Sequence, residues 1–116
     1  MNNYNRGHFA EFIAGLYLRL KGYHQIAVNH TFKRGSGVGE IDLIFKHKQT
    51  LIFVEVKQRQ TIAQASYSIF PAQQKRIRRA AEVFIKQNKH YMNYDIRFDV
   101  VLIKFPFCIM HIKNAF

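Results

Sequence analysis

Gly39-Glu40-Ile41-Asp42-Leu43-Ile44, followed after a short polar interval by Leu51-Ile52-Phe53-Val54-Glu55-Val56-Lys57, holds three of the chain's seven acidic residues. Both segments are rich in β-branched and aromatic residues and predict strands, with His47-Lys48-Gln49-Thr50 as the hairpin turn between them. Side chains alternate faces along a strand, so Glu40 and Asp42 share one face of the first, and Glu55 and Lys57 one face of the second. Ile41 and Leu43, then Ile52, Val54 and Val56, are expected on the other face. Runs this apolar predict central, buried strands, and a carboxylate in such a strand needs a partner or a metal to offset its desolvation.

Outward from the hairpin, the chain of 116 residues predicts a single domain spanning residues 1–116. Its 48% hydrophobic and 15% aromatic content fits a globular domain and excludes a disordered one. Eighteen Lys and Arg against seven Asp and Glu leave +11, which favours a polyanionic partner. Nucleic acid is the first expectation and an anionic membrane surface the weaker one. A purely structural RNA binder would carry the same charge. With Cys108 as the one cysteine, an intramolecular disulfide and a Cys-rich zinc site are excluded. The polar N-terminus and the absence of an apolar run near the roughly 18 residues of a membrane span predict no signal peptide, no membrane segment and a cytoplasmic location.

A helix is expected from Gly7 to Lys21, ending at Gly22, with Phe9, Ile13, Leu16 and Leu20 as its buried stripe and Ala10, Ala14 and Tyr17 widening it. Tyr23 to Phe32 alternates as a half-buried strand. The Gly-rich patch Lys33 to Gly39 is a loop leading into the acidic strand. A second helix starts near Pro71, with Ile77, Ala80, Ala81, Phe84 and Ile85 as its core face. Lys75, Arg76, Arg78, Arg79 and Lys86 occupy its other side. Asp95 to Phe105 and, after Pro106, Phe107 to Ile112 complete the strands. The expected order is α-β-β-β-α-β, with a final β.

Phosphodiester hydrolysis needs an activated water and neutralisation of charge on phosphorus, and a hard divalent cation held by carboxylates supplies both. Neighbouring strands lie about 4.8 Å apart, so Asp42 and Glu55 on matched faces can share one ion. Lys57 points its ammonium at the same place, to orient the water or stabilise the phosphorus. The plainer readings are a solvated strand face for these three and a hydrogen bond to the adjoining loop for Glu40. For Glu11, opposite the predicted stripe, site membership is set against simple complementarity to the helix dipole. The basic run of the second helix reads as phosphate contacts or as a solvated face. The six His show no metal-ligand spacing, and Cys108 is expected as an inert core thiol.

Asp42, thirteen positions ahead of Glu55-Val56-Lys57, resembles the D-x(n)-(D/E)-x-K signature of the restriction-endonuclease-like nucleases. Gly39 to Ile44, Phe53-Val54-Glu55-Val56-Lys57-Gln58-Arg59 and Arg97-Phe98-Asp99-Val100-Val101 resemble, more narrowly, the YraN family of uncharacterised bacterial proteins, described as nuclease-like. The likeness covers nearly the whole chain, including Gly7-His8-Phe9-Ala10-Glu11, where Ala10 stands at a position more often Gly.

The resemblance implies an α/β fold with a restriction-endonuclease-like core, a mixed central sheet flanked by helices. It implies Mg²⁺ or Mn²⁺ held by Asp42, Glu55, the carbonyl of Val56 and an acid of the first helix, Glu11. Lys57 would assist the attacking water. Glu40, Gln73 and Lys75 are supporting candidates, with Gln73, Gln74 and Lys75 competing for one auxiliary position. Lys33, Arg34, Arg59, Lys75, Arg76, Arg78 and Arg79 are the candidate nucleic-acid contacts. The expected function is metal-dependent cleavage of DNA, placed ahead of RNA, in processing, repair or recombination. The alternatives are a non-catalytic nucleic-acid-binding module of the same fold and a nuclease subunit working inside a larger DNA-processing complex. By analogy a homodimer is also expected, with Phe105, Phe107 and Phe116 as its interface.

Overall fold

The computed structural model describes residues 3–30, 40–58, 70–104 and 108–116, with residues 3–6 and Asn29 described by backbone alone. Lys33, Arg34 and Arg59, and with them Phe105 and Phe107, lie outside the described residues. The elements follow in the expected order: α1 (Asn3–Leu20), β1 (His24–His30), β2 (Ile41–His47), β3 (Thr50–Gln58), α2 (Pro71–Gln87), a 3-10 turn (Lys89–Tyr91), β4 (Asp95–Lys104) and β5 (Cys108–Ile112).

The five strands form one mixed sheet in the order β1-β2-β3-β4-β5. β2 and β3 are the antiparallel hairpin, closed by the His47↔Thr50 pair. β3 and β4 run parallel, in register from Thr50↔Asp95 to Gln58↔Ile103. A parallel neighbour requires a crossover, and α2 supplies it. β5 returns antiparallel along β4.

The strand period divides the core into two layers. Leu43, Phe45, Ile52, Val54, Val101 and Ile103 pack with Ala10, Ala14 and Leu18 of α1. Leu51, Phe53, Ile44 and Phe98 pack with Ile77, Ala80, Ala81 and Phe84 of α2. The predicted core face of α2 is therefore the observed one, and Pro71 occupies its first turn as expected. Glu55 and Lys57 fall on the α2 side by alternation with Leu51 and Phe53, opposite Ile52 and Val54. Ile41 departs from the expected face: at the first position of β2 it turns into the α2 cluster, away from Leu43.

The buried face of α1 keeps Ala10 and Ala14 of the predicted one but is rotated away from its large residues. Ala10, Ala14 and Leu18 are buried, whereas Phe9, Leu16 and Leu20 are exposed, Leu20 at 79%. The helix lies close to the sheet through small residues: a Cβ built on Gly15 would stand 3.2 Å from Gln25 Oε1. An alanine-lined seat leaves no room for the larger stripe, which faces outward with only Ile13 and Tyr17 packed at its margin. Gly22 ends the helix at φ +96, in the left-handed region that favours glycine.

β1 also breaks the expected alternation. Gln25 pairs with Phe45 but Ala27 with Ile44, so Ile26 is an extra residue and the register shifts. Ile26 and Ala27 both lean on the α2 cluster, while Val28 is 45% exposed. A bulge of this kind reverses which residues face inward. Cys108, expected as a core thiol, is exposed instead, because β5 is an edge strand.

Candidate functional site

The β2–β3 ladder ends at Leu43↔Val54, yet β3 continues to Gln58. Beyond that point a side chain replaces the backbone partner: the Val56 N–H donates to Asp42 Oδ2 at 2.9 Å. The bond fixes the Asp42 carboxylate over β3, where it and the Glu55 carboxyl group act on each other. Glu55 is 8% exposed. Its Oε1 accepts a hydrogen bond from Gln73 Nε2 at 2.9 Å, and Lys57 Nζ lies 3.4 Å away. Of the three residues the sequence left open, Gln73 is the one seen to contact Glu55. Lys75 is exposed on α2 and makes no contact with this pair among the described interactions.

Burial raises both acids above the ordinary carboxylate range. For Glu55 the neighbouring Asp42 charge adds to burial, Lys57 opposes, and the result is pushed up to about 7. For Asp42 burial again leads, with the Val56 N–H and Lys57 pulling the other way and Glu40 adding a repulsive charge. Two carboxylates about 4 Å apart repel by about 4 kcal/mol at an effective dielectric of 20. The pair therefore shares a proton or accepts a cation.

A depression of about 100 Å³ opens beside Glu55, lined by Glu40, Glu55, Gln73, Arg76 and Ile77. Glu40 and Arg76 are thereby brought to the mouth of the site. Glu11 lines a different depression, with Gly15, Arg19, Gln25 and Leu43 on the α1 side, and does not figure among the groups acting on Asp42 or Glu55. Arg78 lies over the rings of Phe98 and Phe116, at 4.9 and 5.8 Å from their centroids. Phe116, expected at a dimer interface, stacks on Phe98 of the same chain at 5.2 Å.

Among the described residues no three His, Cys, Asp or Glu side chains converge as a metal-binding group. Two carboxylates suit Mg²⁺ or Mn²⁺ nonetheless, since Mg²⁺ commonly takes one or two acids and completes its octahedron with water and substrate oxygens.

A second polar cluster, centred on Asp99, lies on the α1 side. Asp99 is fully buried. Arg97 donates to both its oxygens at 2.9 Å, the Asn114 N–H to Oδ1 at 3.0 Å, and His111 Nε2 meets Oδ2 at 2.7 Å. Arg97 also reaches Tyr23 Oη, and Lys21 Nζ meets His111 Nδ1 at 2.9 Å. His111 and Asn114 follow Asp99 by more than ten positions, so no local pattern revealed them. The hydrogen bonds from His111, Arg97 and Asn114 hold the Asp99 carboxyl below its usual range despite burial.

Residues 10–103 match the uncharacterised protein family UPF0102. The chain belongs to UPF0102. A UPF0102 protein of Natranaerobius thermophilus is 38% identical over the full length of both chains. Another, from Paramagnetospirillum magneticum, is 45% identical over 84% of this chain and 76% of its own. A third, from Mesorhizobium japonicum, is 35% identical over 97% of this chain and 87% of its own. The YraN resemblance read from the sequence and UPF0102 are one family. Among the described residues no helix is long and apolar enough to cross a membrane.

Proposed function

We infer that this UPF0102 chain is a divalent-metal-dependent nuclease that hydrolyses phosphodiester bonds in DNA. The observation that carries this reading is the Asp42–Glu55 pair, brought together on adjacent strands at a raised pKa, with Glu55 lining a depression edged by Arg76. A packed core gains nothing from two adjoining carboxylates, and removing one of them would relieve repulsion. Asp42, Glu55 and the Val56 carbonyl would hold Mg²⁺ or Mn²⁺. When bound, the ion supplies Lewis-acid activation of water and neutralisation of charge on the phosphate.

The chain's own residues do the rest. The Val56 N–H orients Asp42, and Gln73 and Lys57 orient Glu55 from two sides. Lys57 stands where it can hold a water or steady developing negative charge, and Arg76 where it can take a phosphate oxygen. The exposed cations of α2 supply the backbone grip expected of a protein at +11. A non-catalytic binder accounts for these cations but gives no reason for acids beside a phosphate.

The test is a Mg²⁺ and Mn²⁺ cleavage assay on single-stranded, duplex, flapped and branched DNA, with Glu55→Gln as control. Wild-type cleavage should fall at least about a hundredfold in the variant while salt-sensitive DNA binding persists. Equal cleavage by both proteins would remove the reading.

A further inference from the structure

The outward stripe of α1 consists of Phe12, Leu16 and Leu20, spaced i, i+4, i+8, with exposures of 58%, 40% and 79%. Val28 on the edge strand β1, 45% exposed, continues it. Phe12 and Val28 line one depression together with Gly15 and the polar His8, Glu11, Arg19 and Gln25, which links the helix stripe to the sheet edge. We propose that this α1–β1 face is the interface at which two copies of the chain pair.

A second copy of the chain fits this face in both shape and area. An i±4n ridge is self-complementary: two identical ridges interdigitate at about −50°, the commonest class of helix packing, and a two-fold axis presents each with its own equal. The area also fits. Taking roughly 200 Å² for a fully exposed large side chain, these four residues offer on the order of 400 Å² of apolar surface. A standard interface needs about 800 Å² per partner, a little over half of it apolar. The rim is polar, with His8, Glu11 and Arg19 around the same depression. Because α1 and α2 cover opposite faces of the sheet, pairing through α1 leaves both basic helices and both acidic depressions exposed.

The charge gives the pairing a signature of its own. Two chains at +11 repel, so added salt should strengthen their association, whereas association bridged by nucleic acid weakens with salt. The experiment is sedimentation equilibrium of the full, nucleic-acid-free chain from about 1 to about 100 µM at low and high salt. Reductant is included because Cys108 is exposed. The expected result is a monomer–dimer equilibrium that tightens with salt, loosens at least about tenfold in Leu16→Glu, and is unchanged in Met110→Glu on the opposite edge strand. Should Leu16→Glu fail to fold, Leu20→Ser at the most exposed position is read in its place. A wild-type chain that stays monomeric throughout, or a dimer indifferent to these substitutions, would overturn the proposal. So would a monomer that instead floats with anionic phospholipid vesicles.

Discussion

Asp42 and Asp99 show how one residue type takes opposite electrostatic fates in one sheet. Asp99 is buried but met by an arginine fork, an imidazole and a backbone N–H, which hold its pKa down. For Asp42 burial outweighs the Val56 N–H, Lys57 and the Glu55 contact, and with the Glu40 charge added its pKa rises. The first arrangement is structural and the second is costly, the difference expected between a support and a site. Asp99→Ala leaves Arg97 and His111 without their acceptor and should cost about 3 kcal/mol in urea denaturation. The pH sign follows from the lowered pKa. Its contribution is complete above the unfolded value of 3.8 and is lost as pH falls through the folded one. Asp99→Asn should therefore flatten the acid limb of the stability profile, measured as urea midpoint against pH.

Elements differ in how far their role was legible. The hairpin and α2 were readable because their apolar residues are large, periodic and seated directly on the sheet. For α1 the 3.6-residue period and the Ala10–Ala14 flank are as expected, but the face is rotated: Ala10, Ala14 and Gly15 permit close approach to the sheet, while the bulk of Phe9, Leu16 and Leu20 faces outward. The contrast can be measured in dilute solution. Leu18→Ala should cost about 2–5 kcal/mol, and Leu20→Ser less than about 0.5. In β1 a single bulge overrode alternation. At the site, Asp42, Glu55 and Lys57 were legible from spacing, but the choice of Gln73 over Gln74 or Lys75 depended on the helix's rotation against β3. On α2, replacing Lys75, Arg76 or Arg79 with Ala should weaken DNA binding for every sequence alike. Each such replacement removes one cation from the phosphate backbone and should lower the slope of log K against log salt by about 1, read from fluorescence anisotropy.

Over the whole molecule, two layers of core hold a sheet whose central strands carry an unfavourable acid pair to the surface of the α2 side. A folded Glu55 pKa of about 7 against an ordinary 4.5 means that the folded state binds the extra proton between these values. Stability without metal should therefore fall as pH rises across that window, by at most about 3 kcal/mol, and stay low above it. A cation that binds only the folded, deprotonated pair reverses the loss. At a hundredfold excess over its dissociation constant, that linkage is worth about 2.7 kcal/mol, or on the order of 10 °C for a chain of this size. Thermal unfolding near pH 8, with and without Mn²⁺, for wild type and Glu55→Gln tests the acid pair most directly. The expected result is a metal-dependent rise in Tm for the wild type, and for Glu55→Gln a higher metal-free Tm with that rise abolished. An equal rise in both proteins, or none in the wild type, would contradict it.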